Sequence, residues 1–406
     1  MKIRAITGFL DPGWPLEPAR IESMAGCLTA IRQALTEAGY EIQTLRLATP
    51  PPLQIDRPVP PRDRPALARQ LEAECFLHGI DYANIGPALP EEPNGFAAVP
   101  DVLAAAESVF CSGLYASPAV GLSLSAARAC AQAIQSASTV SPDGFANLRF
   151  AGLANVGPGS PFFPAAYHDG GPPAVALATE AADLAVESLQ GATSLANIRR
   201  ELVGKIETHA TALAQAAEPI ATQRNMRFLG IDFSLAPFPE PDRSLGTALE
   251  ALGAPAVGLS GTTAAAAFLA DCLDQAHFPR TGFCGLMLPV LEDSILAMRA
   301  AEGQLDLTDL LLVSTVCGAG LDTIPLPGDT SAESIAALLI DLGALALRHN
   351  KPLTARLMPI PGKSAGDEIH FDFPYFADSR VMALPAKPLT DLLASSSMLD
   401  LGGRPR

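Results

Sequence analysis

The chain has 406 residues, 49% of them hydrophobic and 17% charged, with 33 glycines and 37 prolines. This is length enough for two average domains or one large α/β barrel, and apolar enough to exclude a disordered chain. Asp and Glu number 43 against 27 Lys and Arg, a formal charge of −16, which with no basic stripe excludes nucleic acid and anionic membranes as partners.

The opening "MKIRAITGFLDPGW" has no signal-peptide pattern and reads as a strand over 3–9, so the expected location is cytoplasmic. A helix over 17–40 follows, ending at a glycine, then an alternating strand over 41–48. The Pro-rich stretch 49–61 reads as a surface excursion. Next come a helix (63–78), a strand (80–86), a helix (98–107), a strand (108–114), a helix (118–136) and a strand (148–156). Two Ala-rich helices are expected over 173–190 and 194–219. The alternation then resumes: a strand over 226–234, helices over 244–252 and 262–276, a strand over 285–290 and a helix over 291–302. It continues with strands over 310–316, 353–359 and 380–385, a helix over 331–348 between the first two, and a short terminal helix. Apolar strands separated by helical crossovers imply mainly parallel pairing with both sheet faces covered. Two uncharged stretches, 108–127 and 251–270, are broken by Ser, Gly and Pro and are not read as membrane spans. The seven cysteines contain no C-x-x-C pair and read as buried free thiols.

In a parallel sheet, chemistry gathers where loops leave the carboxyl ends of strands. One such loop is "GAGLDTIPLPGDT" (318–330), after the apolar run "LLLVSTVC" (310–317). Gly318 and Gly320 could cradle an anion on backbone N–H groups, but Thr323 breaks the dinucleotide fingerprint. "TSAE" (330–333) reads as a capping box for the next helix, which also accounts for Asp329. Asp322 has no helix to cap, and reads as a turn former, a metal ligand or a base. "PGKS" (361–364) is not a Walker loop, because Leu357 stands where a glycine is required. Lys363 and Arg356 remain candidates to face an anionic substrate. In "GDEIHFDFPYF" (366–376), alternation puts Glu368, His370 and Asp372 on one side of an extended chain, with Asp367 beside them. Asp232 ends an apolar strand, where a charge must be paired or bound. His168, in a long loop with Asn155 and Tyr167, is a candidate proton carrier. "GLSGT" (258–262) fails the hydrolase serine elbow, and no base adjoins Cys317.

The segments "PFFPAAYHD", "GIDFSLAP", "CGAGLDTIPLPGDT" and "NKPLTARLMPIPGKSAGD" together resemble the family called domain of unknown function 711. The resemblance implies a pyruvate formate-lyase-like fold: a ten-stranded α/β barrel of two five-stranded parallel halves running antiparallel to each other. On this chain that is one domain, with halves over about 1–160 and 225–390 joined by the helical pair 173–219. Carboxyl ends of the two halves would open at opposite mouths. His168 and Asn155 would join the acids of the second half only if their loop reaches through or around the barrel. Glycyl-radical chemistry is not expected, because the tail "LDLGGRPR" lacks the Arg-Val-x-Gly-aromatic motif and adjacent cysteines are missing.

The leading expectation is a divalent-metal-dependent hydrolase, phosphatase-like, acting on a small anionic molecule. Asp232, Asp322 and Asp372 would hold Mg²⁺ or Mn²⁺, with Asp329, Asp367 or Glu368 as further ligands and no nucleotide cofactor. Asp322 and His168 are the candidate catalytic groups; Lys363, Arg356, Asn155, Gly318 and Gly320 would bind substrate. The alternative is a non-catalytic binding or regulatory protein with its ligand inside the barrel. A homo-oligomer is the expected state.

Overall fold

The computed structural model describes residues 1–403. Its strands in chain order are β1 (Lys2–Phe9), β2 (Leu45–Ala48), β3 (Tyr82–Ala88), β4 (Val109–Ser117), β5 (Gly121–Ser123), β6 (Phe150–Ala154) and β7 (Ala174–Glu180). There follow β8 (Arg227–Asp232), β9 (Gly320–Pro327), β10 (Leu353–Ile360), β11 (Glu368–Ile369), β12 (Ser379–Arg380) and β13 (Met398–Leu399). The large sheet runs β8-β7-β1-β2-β3-β4-β6-β10-β9, with β5 and β13 paired at the end of β4. β1, β2, β3, β4 and β6 pair parallel with their neighbours. So do β7 with β8 and β9 with β10. The two joins, β1 to β7 and β6 to β10, are antiparallel. Between β8 and β9 in the chain, the segment from Pro279 makes isolated parallel bridges to both sheet edges: Ile231 to Arg280, Leu235 to Leu286, and Pro289 to Asp322.

Several predicted elements move. "PPAVALATE" was expected to be helical, yet Ala174–Glu180 is a strand and only Ala182–Leu189 is helix. Its alternation explains this: Val175 and Leu177 pack with the helices, while Ala174, Ala176 and Ala178 face the other way, against a loop that leaves room only for small side chains. "LLLVSTV", expected as a strand, is the helix Leu307–Ser314, started by a capping box between Asp306 and Asp309. The strand comes later, inside the Gly/Pro stretch itself, as β9. Ser331 rather than Thr330 caps the helix Ala332–His349; the Thr330 hydroxyl donates to the Pro327 carbonyl at 2.7 Å. The 285–290 segment has bridges but no regular strand, and of the expected last strand, 380–385, only Arg380 pairs, within Ser379–Arg380. The Pro-rich stretch is no surface excursion, since Thr49, Pro50, Pro51, Pro52, Ile55 and Val59 are buried. No helix among the described residues is long and apolar enough to cross a membrane. Six of the seven free cysteines are buried and Cys284 is partly so.

The loop after β6 positions the site. It does not run over the outside: Phe162, Phe163, Ala165, Ala166 and Tyr167 pack on the inner face of the sheet, against Phe9, Ala48, Leu153 and Ala178. Polar side chains of the strands hold its backbone. Thr7 Oγ1 donates to the Pro161 carbonyl at 2.9 Å and Asn84 Nδ2 to the Pro164 carbonyl at 2.7 Å. A buried loop needs such partners for its carbonyls.

Candidate functional site

On this inner face the loop tip, the sheet and the segment 283–292 enclose a chamber of about 610 Å³. That is the size of an ordinary small-molecule site. Much of its wall is apolar: Phe110, Phe162, Phe163, Phe283 and Met287 line it. Phe145, Phe373 and Tyr375 form another part, within an aromatic cluster in which Phe373 packs edge-on to Phe145 at 5.1 Å between centroids.

Charged side chains interrupt this wall, and each comes from an otherwise apolar strand or its flank. Arg4 lies in β1 between Ile3 and Ala5, where the pairing with β7 shifts register. Arg46 lies in β2 between two buried leucines, Asp322 in β9, and Arg356 in β10 between the buried Ala355 and Leu357. Strand alternation turns the leucines toward the helices and these charges toward the chamber. Most of the charges compensate one another in a chain. Arg356 donates from Nε to Asp322 Oδ1 at 2.5 Å and from Nη2 to Glu292 at 2.7 Å. Glu292 also takes Arg4, whose Nη1 reaches Glu180 at 3.0 Å. Glu180 is held in turn by Arg243 and by Gln43 Nε2, the latter at 2.6 Å. Burial pushes the Asp322 carboxyl up, opposed by the Arg356 guanidinium beside it. The two acids keep Arg356 firmly protonated.

Arg46 stands outside this chain. Its Nε donates to Thr44 Oγ1 at 2.8 Å. Its guanidinium carbon lies 5.8 Å from the Tyr82 ring centroid and 5.2 Å from that of Phe163. Among the described residues it makes no ion pair with a carboxylate. Burial, then the like charge of Arg4, pushes it down to about 10. Arg149, also on the wall, is spent on backbone: it donates to the carbonyls of Leu103 at 2.9 Å, Val109 at 3.2 Å and Ala106.

Of the site residues expected from sequence, Asp322 and Arg356 come together at the chamber. The others lie elsewhere. Asp232 is fully buried and clamps a turn, accepting from Ser234 Oγ at 2.6 Å, Phe283 N at 2.7 Å and Cys284 N at 2.8 Å. Burial raises it to about 6. Asp329, Lys363, Asp367, Glu368 and Asp372 are exposed. Glu368 pairs with Arg380 at 2.9 Å, and Asp367 Oδ2 accepts from Ser364 N at 2.7 Å. Ile369 and Phe371 are buried on the alternate face, so Glu368, His370 and Asp372 share a side that faces solvent. Asn155 takes a left-handed φ of 56° and reaches Asn350 Oδ1 at 3.3 Å. Gly318 packs backbone to backbone on Gly285, and Gly320 at φ 91° lies against Thr354. His168 is buried, with Nε2 3.3 Å from the Pro172 carbonyl, and is not on the chamber wall even though its loop enters the sheet's inner face. Among the described residues, no three His, Cys, Asp or Glu side chains gather as a metal-ligand group.

Arg4, Arg46, Glu180 and Glu292 are not among the site residues expected from sequence. A usable signal was present: single charges inside "KIRAITGF", "TLRLA" and "AVALATE" are costly in buried strands unless they serve the interior.

With the geometry in hand, comparison with known proteins places the chain. Residues 1–377 match the family described as "Uncharacterised ACR (DUF711)". Among relatives, a "UPF0210 protein" of Pyrobaculum islandicum is 30% identical over 353 residues, covering 83% of this chain and 78% of the relative. One of Pyrobaculum arsenaticum is 31% identical over 353 residues, with the same coverage of 83% and 78%. One of Ligilactobacillus salivarius is 28% identical over 387 residues, covering 91% and 84%. The chain belongs to this family.

Proposed function

We propose that this member of the family binds a small anionic organic molecule inside one closed ten-stranded α/β barrel, with Arg46 receiving the anionic group. Closure is supported by the bridges that run from the 280–290 segment to both edges of the sheet. They would make that segment the tenth strand and divide the strands into two parallel halves. The observation that carries the binding reading is Arg46 itself: a guanidinium without a carboxylate partner, on the wall of an aromatic chamber. Cations so placed are costly in isolation and favourable once an anion arrives. Thr44 and the two rings fix its Nε edge and its plane, and leave the terminal nitrogens for a two-point contact with a carboxylate or phosphate.

This favours binding over metal-assisted hydrolysis. Asp322 already holds a guanidinium where a metal would sit, while Asp232 and Asp372 lie apart from it, one buried in a turn and one exposed. A thermal-shift panel of organic anions on the parent and on Arg46→Met tests the reading. Some anions are expected to raise the parent's melting point, by the equivalent of about 2.7 kcal/mol at a hundred times Kd, with no rise in Arg46→Met. Equal rises in both proteins, or none in either, would defeat it. Phosphate-ester turnover that appears only with Mg²⁺ or Mn²⁺ would restore the hydrolase.

A further inference from the structure

The charges on the chamber wall can be counted, and the count restricts the ligand further. The cations are Arg4, Arg46, Arg149 and Arg356. The anions are Glu107, Glu292 and Asp322. Glu107 is exposed at the rim, while Arg4 and Arg356 are matched by Glu292 and Asp322, which leaves Arg46 as the wall cation with no direct carboxylate partner among the described residues. Behind the wall Glu180 is matched by Arg243, and Arg149 faces Glu72 as well as Glu107, so that end of the chamber carries no surplus cation. The surplus sits at Arg46, since Arg356 and Arg4 are held by acids and Arg149 faces Glu72 and Glu107 while it donates to backbone carbonyls. A chain of net charge −16 therefore presents one cation without a direct carboxylate partner to the chamber. In an enclosed, largely apolar space, each uncompensated unit charge is expensive, so the preferred guest is the one that brings the sum to zero.

The wall beside Arg46 restricts the guest's body as well. Phe163 and Tyr82 flank the guanidinium, and Tyr82 packs edge-on to Phe110 at 5.4 Å. Phe110 in turn meets Phe163 at 5.3 Å. Such a surround of ring edges and faces suits a flat apolar body. Other polar anchors on the wall are few, among them Thr354, Ser141 and Gln43, the last engaged with Glu180.

We propose that the chamber selects a singly charged organic anion with a planar apolar body, an aromatic monocarboxylate in chemical class, over a doubly charged phosphate monoester. The inference rests on the reading that Arg46 holds the anion. A monocarboxylate pairs two oxygens with the Arg46 fork and leaves the wall neutral. A phosphate monoester above its second pKa brings two charges, one of which stays uncompensated and is repelled by Glu292 and Asp322.

The test uses three probes of one shape at pH 8: 1-naphthoate, 1-naphthyl phosphate and neutral 1-naphthamide. Each is titrated calorimetrically into the full chain, into Arg46→Met and into Asp322→Asn. Naphthoate is expected to bind the parent on the order of tenfold more tightly than either other probe, one uncompensated charge setting that scale. Arg46→Met should lose that advantage over naphthamide. Asp322→Asn, close to isosteric, adds one positive charge to the wall and should narrow or reverse the preference for naphthoate over naphthyl phosphate. Tighter binding of naphthyl phosphate by the parent, or no change of preference in Asp322→Asn, would overturn the monoanion inference while leaving Arg46 as an anion receptor. Tighter binding of naphthamide, or no binding of any probe, would overturn both. A folded Asp322→Asn protein is checked by its circular dichroism. Should it not fold, Asp322→Glu keeps the charge, and its naphthoate preference must then match the parent's for the inference to stand.

Discussion

Replacing Arg46 by Met is expected to stabilise the ligand-free protein. Arg46 is held at about 10, well below the usual range of an arginine, first by burial and then by Arg4. At about 1.4 kcal/mol per pH unit, keeping that charge in the chamber costs roughly 3 kcal/mol. The contacts it makes offset part of this. Two cation–π contacts and one hydrogen bond to Thr44 return about 1–2 kcal/mol together. Met keeps the apolar stem, fills the same space and needs no partner. The net expectation is a gain of about 1–2 kcal/mol, read as a rise of a few tenths molar in the urea midpoint at pH 7.5 without ligand. Anion binding is lost in the same variant, a gain in stability at the expense of function. A drop in the midpoint of similar size would refute the reasoning. It would mean that Arg46 is a structural group whose interactions exceed its burial cost.

Two further outcomes follow from the same physics. Asp232 is raised to about 6 in the folded chain, so the folded state binds its proton more tightly than the unfolded state does. Its contribution to stability is fully present below about pH 4 and is lost as pH rises through 6, a swing of about 2–3 kcal/mol. The urea midpoint of the parent should therefore fall relative to that of Asp232→Asn as pH rises from 4 to 7.5; parallel profiles would show that Asp232 does not titrate in this window. At Gly318, an added Cβ would lie 2.7 Å from the Cα of Gly285, and neither backbone has a flexible side chain to yield. Gly318→Ala should cost about 2–3 kcal/mol by thermal melting, whereas Gly157→Ala, with nothing within 4 Å of its Cβ, should stay within about 0.5 kcal/mol.

Much of the fold could be read from residue patterns, and the failures have physical causes. Strands bordered by helices on one side and by a packed interior on the other, such as β1 and β10, show long apolar runs and were found. β7 was not, because the inserted loop leaves room only for alanine on its inner face, and alternating alanines mimic a helix. "LLLVSTVC" was taken for the strand before the Gly/Pro stretch, because a short apolar run has no decisive period. β9 was hidden by two prolines and a glycine, which sheet interiors seldom accept. At the site, Asp322 and Arg356 were legible as charges beside unusual loops. Arg46 carried only the weaker signal of a charge in an apolar strand, since a single arginine in "TLRLA" also looks like one exposed face of a strand. Only the closeness of the inner wall turns that face inward. Asp232 was expected to be paired or bound and to hold a metal; sequence could not say that a backbone turn 51 residues later donates to it.

The arrangement of charges also bears on how binding and stability are linked. The series Arg243, Glu180, Arg4, Glu292, Arg356 and Asp322 alternates in sign, so each buried group has an opposite neighbour. Removing an internal member would leave an uncompensated charge and cost about 3–5 kcal/mol. Each carboxylate of the series is thus already paired with a guanidinium. Arg46 is added to this balanced set and is repelled by two of its members, Arg4 and Arg356. Glu292 attracts it only at a distance and no carboxylate of the described residues pairs with it directly, so full compensation is left to an anion from solution. Such an anion relieves the repulsion while it makes its own contacts, and both effects favour the folded state alone. Ligand binding at this chamber should therefore stabilise the parent more than the contacts of the ligand alone would suggest, and Arg46 is the residue through which the two are coupled.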